Sequence, residues 1–308
     1  MSNADDIVAV ISCASCGKSI LDGDNFTICA DCKYVQYCSD ECQQGHRPLH
    51  EAECKERVAE DENLFRQPES SHLGDCPICC VPMPINEDKR SLFSCCCKTM
   101  CQACTLADQL SQRNRQVRIC PFCRHPQPNT EEEFCKNLMK RVEVNDPVAL
   151  KHMAVKHFHK AEYGASVECW TKAAKLGDAD AHYELSNMYK KGQIIEKDET
   201  KRMYHLKEAA VAGHAHARHN LGCHEGRNDR LERAVKHFII AANLGFDQSM
   251  DLLKDWYKNE YVSKEELAAA LRAHHAAVKA TKSPQREAAQ KYLNEYGKCP
   301  PAIKMVDK

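Results

Sequence analysis

Apolar positions in the second half of the chain recur with a helical period and at a repeat length of 32 to 36 residues. Each repeat carries a large apolar residue, an alanine pair that starts three residues later, and a glycine seven residues later. These segments are 170–177, 206–213 and 238–245. Further apolar residues precede each segment by three positions or follow its glycine by eight, namely Val167, Met203, Val235, Leu185, Leu221 and Leu253. The i, i+3, i+7 spacing gives one apolar helical face per segment, so the pattern predicts stacked pairs of helices.

Capping signals mark the ends of these helices. Asn145-Asp146-Pro147 opens the helical region, because proline is favoured at the first helical position. Ser263-Lys-Glu-Glu266 has the form of a capping box, and Ser283-Pro284 opens a last helix. The second repeat is four residues shorter than the first, and the sequence predicts that the difference falls in a loop, 190–198 against 226–229.

The first half of the chain has a different character, since 18 of the 21 cysteines lie between Cys13 and Cys135. The near-cancellation of 43 basic and 44 acidic residues argues against a dedicated nucleic-acid binder, so proteins are the expected partners. Asp5 and Asp6 stand where a secretory signal would be basic, and no apolar run has the length of a membrane span. We therefore expect a cytoplasmic or nuclear protein with no membrane partner, in which paired cysteines bind metal.

The cysteine pairs nearest the N-terminus form a first set of zinc ligands. They are spaced as C-x2-C, C-x2-C, C-x3-C and H-x3-C, and comprise Cys13, Cys16, Cys29, Cys32, Cys38, Cys42, His50 and Cys54. Eight such ligands suffice for two tetrahedral Zn²⁺ ions. Four protein ligands leave no position for a reactive water, so these ions are structural, and zinc replaces the core that so short a segment lacks.

This segment resembles a MYND zinc finger. The resemblance implies that Cys13, Cys16, Cys38 and Cys42 hold one ion, while Cys29, Cys32, His50 and Cys54 hold the other. His50 is preferred over His46 as a ligand because it completes H-x3-C. MYND fingers bind short, often proline-containing peptides, and two roles stay open for Tyr34, Val35 and Tyr37: a peptide-binding surface or packing around the zinc sites.

A second set of zinc ligands follows, and here the chain looks like a RING finger with two zincs in a cross-brace. The candidate ligands are Cys76, Cys79, Cys95, Cys96, Cys97, Cys101, Cys104, Cys120 and Cys123. The resemblance implies that Cys76 and Cys79 share an ion with Cys101 and Cys104. Lys98 stands where a typical RING has a histidine ligand, so thiolates must replace it. Cys95 is expected as a ligand with either Cys96 or Cys97, and Cys80 as a bystander.

The RING resemblance also implies a catalytic role for three residues. Ile78 and Pro121 match the positions that contact a ubiquitin-conjugating enzyme, and Arg124 matches a cation that contacts both that enzyme and ubiquitin. The expected function is a zinc-binding RING-type ubiquitin ligase. The alternative is a non-catalytic adaptor that mediates protein–protein interactions, and Lys98 and the crowded Cys95 to Cys97 favour it.

The helical segments resemble Sel-one-like repeats, relatives of the tetratricopeptide repeat that present a concave protein-binding face. His214, His216, His219 and His224 suggest a metal site, but the repeat register places His214 and His216 at the start of an exposed helix, so we expect them in solvent. Cys169, Cys223 and Cys299 are expected as isolated thiols.

The expected fold class is therefore small zinc-stabilised cross-brace modules at the N-terminus followed by an all-α helical-repeat solenoid. About four structural zinc ions are expected, and the fingers and the repeats are expected to unfold independently. The expected divisions are a flexible N-terminus 1–12, a MYND-type finger 13–54, a linker 55–72, a RING-type finger 73–128, a linker 129–146, repeats 147–258, and C-terminal helices and tail 259–308.

Overall fold

The computed structural model describes residues 11–20 and 25–297, and the chain forms two compact units, Met1–Arg66 and Gln67–Lys308. Most of the expected flexible N-terminus, Cys299 and the tail from residue 298 lie outside the described residues. No helix in the described part is both long and apolar enough to cross a membrane.

The first unit consists of two short hairpins and one long helix. Strands β1 (Ile11–Ser12) and β2 (Ser19–Ile20) pair antiparallel, as do β3 (Thr27–Ile28) and β4 (Gln36–Tyr37). Helix α1 (Asp40–Leu64) begins where the Ser39 hydroxyl accepts a hydrogen bond from the Cys42 amide. Its core is a small cluster of cysteines around Tyr37, which is 1% exposed. Tyr37 therefore packs, and the half-buried Tyr34 and Val35 pack beside the same cluster.

The second unit begins with the cysteine-rich region expected as a RING. A short 3-10 helix (Glu87–Lys89) leads into the antiparallel hairpin of β5 (Arg90–Phe93) and β6 (Lys98–Cys101), and α2 (Gln102–Ser111) follows directly. Residues 129–146, which the sequence suggested as a linker, contain helix α3 (Glu131–Glu143). Its Leu138 is fully buried, so this segment is part of the fold.

A helical array fills the rest of the described chain. Its helices are α4 (Pro147–His159), α5 (Tyr163–Lys175), α6 (Ala179–Lys191), α7 (Glu199–Val211), α8 (Ala215–Arg227), α9 (Leu231–Asn243), α10 (Asp247–Lys258), α11 (Lys264–Ala280) and α12 (Pro284–Tyr296). From α4 to α11, consecutive helices pack on one another, as the repeat pattern predicts. The fold class is confirmed: zinc modules at the N-terminus and an all-α repeat solenoid at the C-terminus.

The repeated positions are the ones that hold this array together. All six anchors are at most 4% exposed, namely Trp170, Leu206, Phe238, Leu185, Leu221 and Leu253. Gly177, Gly213 and Gly245 have φ between 84° and 88°, and each follows a helix end closed by a hydrogen bond from the next residue back to the alanine pair. Glycine tolerates this left-handed backbone without strain, which explains its recurrence.

The predicted boundary signals are also confirmed. Asp146 caps α4 with Pro147 in its first turn, Ser263 and Glu266 form the capping box of α11, and Ser283 caps α12. The loop between α6 and α7 spans 192–198, whereas that between α8 and α9 spans 228–230. The four-residue difference between repeats therefore falls in the loop.

The cysteine-rich region and the helices of the second unit share apolar cores. Cys97 is buried with Leu138, Ala149 and Met153, which belong to α3 and α4. At the other end of the array, α12 packs on α2, and Ala289 joins the core of the cysteine-rich region. The expected independent unfolding of fingers and repeats is revised for this unit, because each contributes side chains to the other's core.

Candidate metal centres

One backbone turn occurs five times in the described parts of the cysteine-rich regions. In each case the amide of the fifth residue donates to the carbonyl of the first, at 2.8–3.0 Å, and the fifth residue has a positive φ between 51° and 75°. The fifth residues are Gly17, Lys33, Cys80, Cys97 and Arg124. In four of these turns, cysteines stand at the first and fourth positions, so a local hydrogen bond presents the two thiols of these four C-x2-C pairs to a common site.

The first unit brings its eight candidate ligands into two interleaved groups. One contains Cys13, Cys16, Cys38 and Cys42, and the other Cys29, Cys32, His50 and Cys54. Each group combines one hairpin turn with one pair at or within α1, where residues four apart lie on the same face. The pairing implied by the MYND resemblance is the pairing that the geometry brings together.

His50 and His46 take different places, as expected. The Nε2 atom of His50 lies 3.3 Å from the Cys32 thiol, and His50 is buried. The ring of His46 stacks on His50 at 5.7 Å, and its Nδ1 atom lies 3.2 Å from the Tyr37 hydroxyl. His46 therefore supports the ligand from the side.

The cysteine-rich region of the second unit forms two further groups. Cys76, Cys79, Cys101 and Cys104 make one, and Cys95, Cys96, Cys120 and Cys123 make the other. The first and third cysteine pairs share one site, while the pair between them joins the last, which is the alternation of a cross-brace. The exposed Cys80 lies outside both groups.

The turn geometry explains why Cys96 and not Cys97 joins the fourth group. In the turn 93–97, Cys96 holds the fourth position, where the other turns place a ligand, and Cys97 holds the left-handed fifth position. The Cys97 side chain points into the apolar cluster with Leu138 and Met153. The Cys97 thiol is buried and lies outside both ligand groups of this region.

The spacing within these groups fits zinc. Neighbouring sulfur atoms lie 3.3 to 3.9 Å apart. A tetrahedron with Zn–S bonds of about 2.3 Å has S···S edges of about 3.8 Å, whereas a disulfide bond is about 2.05 Å long. All four groups offer four protein ligands, so the zinc is structural in each.

The three candidate docking residues lie on exposed loops of the second unit. Ile78 is 50% exposed although apolar, and Pro121 and Arg124 are exposed. Between the cysteines of the last pair, Phe122 packs edge-on against Phe93 at 5.6 Å. Lys98, which replaces the usual histidine ligand, places its ammonium 5.3 Å from the centroid of the Phe122 ring.

The expectation that His214 and His216 are in solvent is wrong. His214 caps α8. It is only 4% exposed, because the chain before the cysteine-rich region covers it and the ring of His72 stacks on it at 4.5 Å. His216 is partly buried, with its ring 4.5 Å from that of Phe246. The predicted repeat register is correct, since Asp178 caps α6 at the position equivalent to that of His214 in α8.

His72, Asp180 and His214 lie close enough together to resemble a metal site. The Nδ1 atom of His214 accepts a hydrogen bond from the Ala217 amide at 3.2 Å, so its proton is on Nε2. The Nε2 atom of His214 lies 3.3 Å from Asp180 Oδ1, and His72 Nε2 lies 2.8 Å from the same oxygen. Lys151 pairs with the other carboxylate oxygen. Because Nε2 of His214 is a donor, this group is a hydrogen-bond network that attaches residue 72 to the repeats.

Comparison with known protein families supports the assignment of the first zinc module. Residues 13–54 match the model of the MYND finger family. A search of curated proteins found no match.

Among solved structures, the chain is similar to a Sel1 repeat protein from Oxalobacter formigenes, with 22% identity and a TM-score of 0.44 over 55% of this chain and 50% of that one. It is also similar to a protective antigen of uropathogenic Escherichia coli strains that displays an SLR fold, with 17% identity and a TM-score of 0.39 over 67% of this chain and 43% of that one. The chain thus spans half or less of the length of these two proteins. The family match and the two interleaved ligand groups agree on one assignment: residues 13–54 are a MYND finger.

Proposed function

We propose that the chain is a RING-type ubiquitin ligase, in which the MYND finger and the helical repeats recruit protein partners. The observation that carries this proposal is the combination of a cross-brace ligand arrangement in residues 76–123 with the exposed apolar Ile78 on the first zinc loop. An exposed isoleucine held by a rigid, metal-bound turn is suited to docking, because little side-chain or backbone freedom is lost on binding.

The chemistry of such a ligase needs no nucleophile of its own. The ε-amine of a substrate lysine attacks the thioester carbonyl of ubiquitin on the conjugating enzyme. The C–N bond forms, the C–S bond breaks, the thiolate leaves, and the amine releases its proton to solvent. The ligase holds the thioester in a reactive geometry, and proximity and orientation supply the rate enhancement. The zinc ions hold the two loops that carry Ile78 and Pro121.

The repeats offer a place for a recruited partner. A cavity of about 370 Å³ opens between α4 and α6, with Val155, Phe158 and Trp170 among its apolar walls. Glu184 lies at the same cavity, and burial raises the pKa of its carboxyl group. None of the residues that line this cavity is a candidate zinc ligand, and we assign it to partner recruitment.

A non-catalytic adaptor is the second candidate. It is favoured by the adjacency of Cys95 and Cys96 in the fourth ligand group, because a typical RING spaces these ligands apart. In this case the zinc modules and repeats would assemble partners without recruiting a conjugating enzyme.

Two substitutions separate docking from transfer. Ile78→Ala removes an apolar anchor and should weaken binding of the conjugating enzyme about tenfold or more. Arg124→Ala should leave binding nearly unchanged and slow ubiquitin discharge roughly tenfold, because its hydrogen bonds hold the thioester in its reactive pose. A binding titration and single-turnover discharge of a charged conjugating enzyme measure the two quantities.

Matched controls come from the same region. Val117 is an exposed apolar residue and Arg113 an exposed arginine, and neither is at a docking position. Val117→Ala and Arg113→Ala should behave as wild type. If the wild-type protein neither binds any of a panel of conjugating enzymes nor accelerates discharge, the ligase proposal fails and the adaptor takes its place.

A further inference from the structure

The last described helix reaches back to the first zinc loop of the RING-like region through one arginine. The guanidinium of Arg286 donates from Nη1 to the carbonyl of Pro82 at 2.7 Å and to that of Thr281 at 2.8 Å. From Nη2 it donates to the carbonyl of Val81 at 3.0 Å and lies 3.6 Å from the thiol sulfur of Cys79. One side chain thus connects the start of α12 with residues 79–82, about two hundred positions earlier in the sequence.

The rest of α12 also packs against the RING-like region. Ala289 is 7% exposed and belongs to the apolar core formed around Cys76, Met100 and Cys104. Tyr292 and Leu293, one turn further on, pack against that core, and α12 lies against α2. The helix therefore covers one side of the zinc group made by Cys76, Cys79, Cys101 and Cys104.

Arg286 is not where helix energetics alone would place a cation. It stands in the first turn of α12, three residues after the Ser283 cap, where the helix dipole disfavours positive charge. Lys291 of the same helix is exposed and stands beyond the first turn, where the helix dipole does not disfavour a cation in this way. The contacts with the zinc loop supply the reason for a cation in the first turn.

We propose that Arg286 is a positioning residue for this zinc site and for the loop that carries Ile78. A zinc ion with four thiolates has a net charge of 2−, so a guanidinium against one sulfur offsets that charge and donates a charge-assisted hydrogen bond to it. The same guanidinium donates hydrogen bonds to the carbonyls of residues 81 and 82, and it thereby holds the backbone just after Ile78. The role at the zinc site stands by itself, whereas the role in docking rests on the proposed ligase function.

The test uses the full chain with Arg286→Gln, Arg286→Lys and the matched control Lys291→Gln, which removes the same charge from an exposed position of the same helix. Arg286→Gln should lower zinc affinity 10- to 100-fold at one of the four sites, as loss of an outer hydrogen bond to a ligand typically does. Competition with a colorimetric chelator measures this affinity. Arg286→Lys keeps the charge but not the planar fork, so it should recover only part of the loss.

A spectroscopic readout identifies the site. In the cadmium-substituted protein, the NMR resonance of one metal should shift in Arg286→Gln and stay in place in Lys291→Gln, because only the former removes a donor from a ligand sulfur. Should Arg286→Gln fold too poorly for this measurement, Arg286→Lys is expected to shift the same single resonance by a smaller amount. Equal zinc affinities and unchanged resonances in both Arg286 variants would overturn the inference.

The proposed role of Arg286 in docking of the conjugating enzyme is tested separately. Arg286→Gln should also weaken binding of the conjugating enzyme several-fold, in the same direction as Ile78→Ala and with discharge from the bound enzyme unchanged. If the metal readouts change while the wild-type chain binds no conjugating enzyme, the ligase proposal fails and the role of Arg286 at the zinc site stands. If wild type binds and Arg286→Gln binds equally well, the docking half is overturned.

Discussion

Removal of zinc is expected to destabilise the helical array as well as the fingers. Each structural site contributes on the order of 10–16 kcal/mol to folding, so the cysteine-rich regions should unfold in a strong chelator. In the second unit this exposes Leu138 and Met153, which pack with Cys97, and uncovers the face of α12 that carries Ala289. Losing that burial should lower the melting temperature of the remaining helices by roughly 5–10 °C.

Hydrogen exchange locates the effect. In the zinc-free protein, amides of α3 and α12 should lose protection, whereas α9 and α10 should keep it, because their core is formed by neighbouring repeats. Restoring zinc under reducing conditions should restore the original pattern. If loss of protection in the second unit stays within residues 73–128 and the helical melting temperature is unchanged, fingers and repeats fold independently and the shared cores contribute little.

Substitutions in the run Cys95 to Cys97 should have opposite consequences for metal content. Cys96→Ser removes a thiolate from the fourth group and should reduce the protein to three bound zinc ions, since serine is a poor zinc ligand. Cys97→Ala should keep all four ions, because its thiol lies in the apolar cluster. It should instead lower the free energy of unfolding by about 1–2 kcal/mol through lost packing.

Native mass spectrometry of the two variants gives the metal count directly, and Cys80→Ala serves as a control because Cys80 is exposed and outside the ligand groups. Retention of four ions in Cys96→Ser together with three in Cys97→Ala would show that the ligand assignment in this run is reversed.

The sequence was sufficient where structure depends on local patterns. The helices, their caps and the loop that absorbs four residues follow from periodicity and from residues within a few positions of one another. The grouping of the MYND ligands followed from a family resemblance, and the backbone turn that presents four of the C-x2-C pairs is local as well.

What the sequence left open depends on contacts between distant segments. The choice between Cys96 and Cys97 is made by the turn register and by an apolar pocket from α3 and α4, whose buried residues lie 41 to 56 positions beyond Cys97 in the sequence. His214 is buried because His72 covers it, and nothing in the repeat pattern indicates that cover. The sequence around Arg286 has one unusual feature, a cation in the first turn of a helix. Its contacts with residues 79–82 cannot be inferred from residues near it in the sequence.

Four closed zinc sites, two in each cysteine-rich region, organise the N-terminal half of this chain. Native mass spectrometry of this purified chain, with inductively coupled plasma analysis to identify the metal, tests this organisation. Four zinc ions per chain are expected, one for each of the four groups of four ligands. A content near two would contradict it, because one of the two cysteine-rich regions would then lack the paired sites described for it.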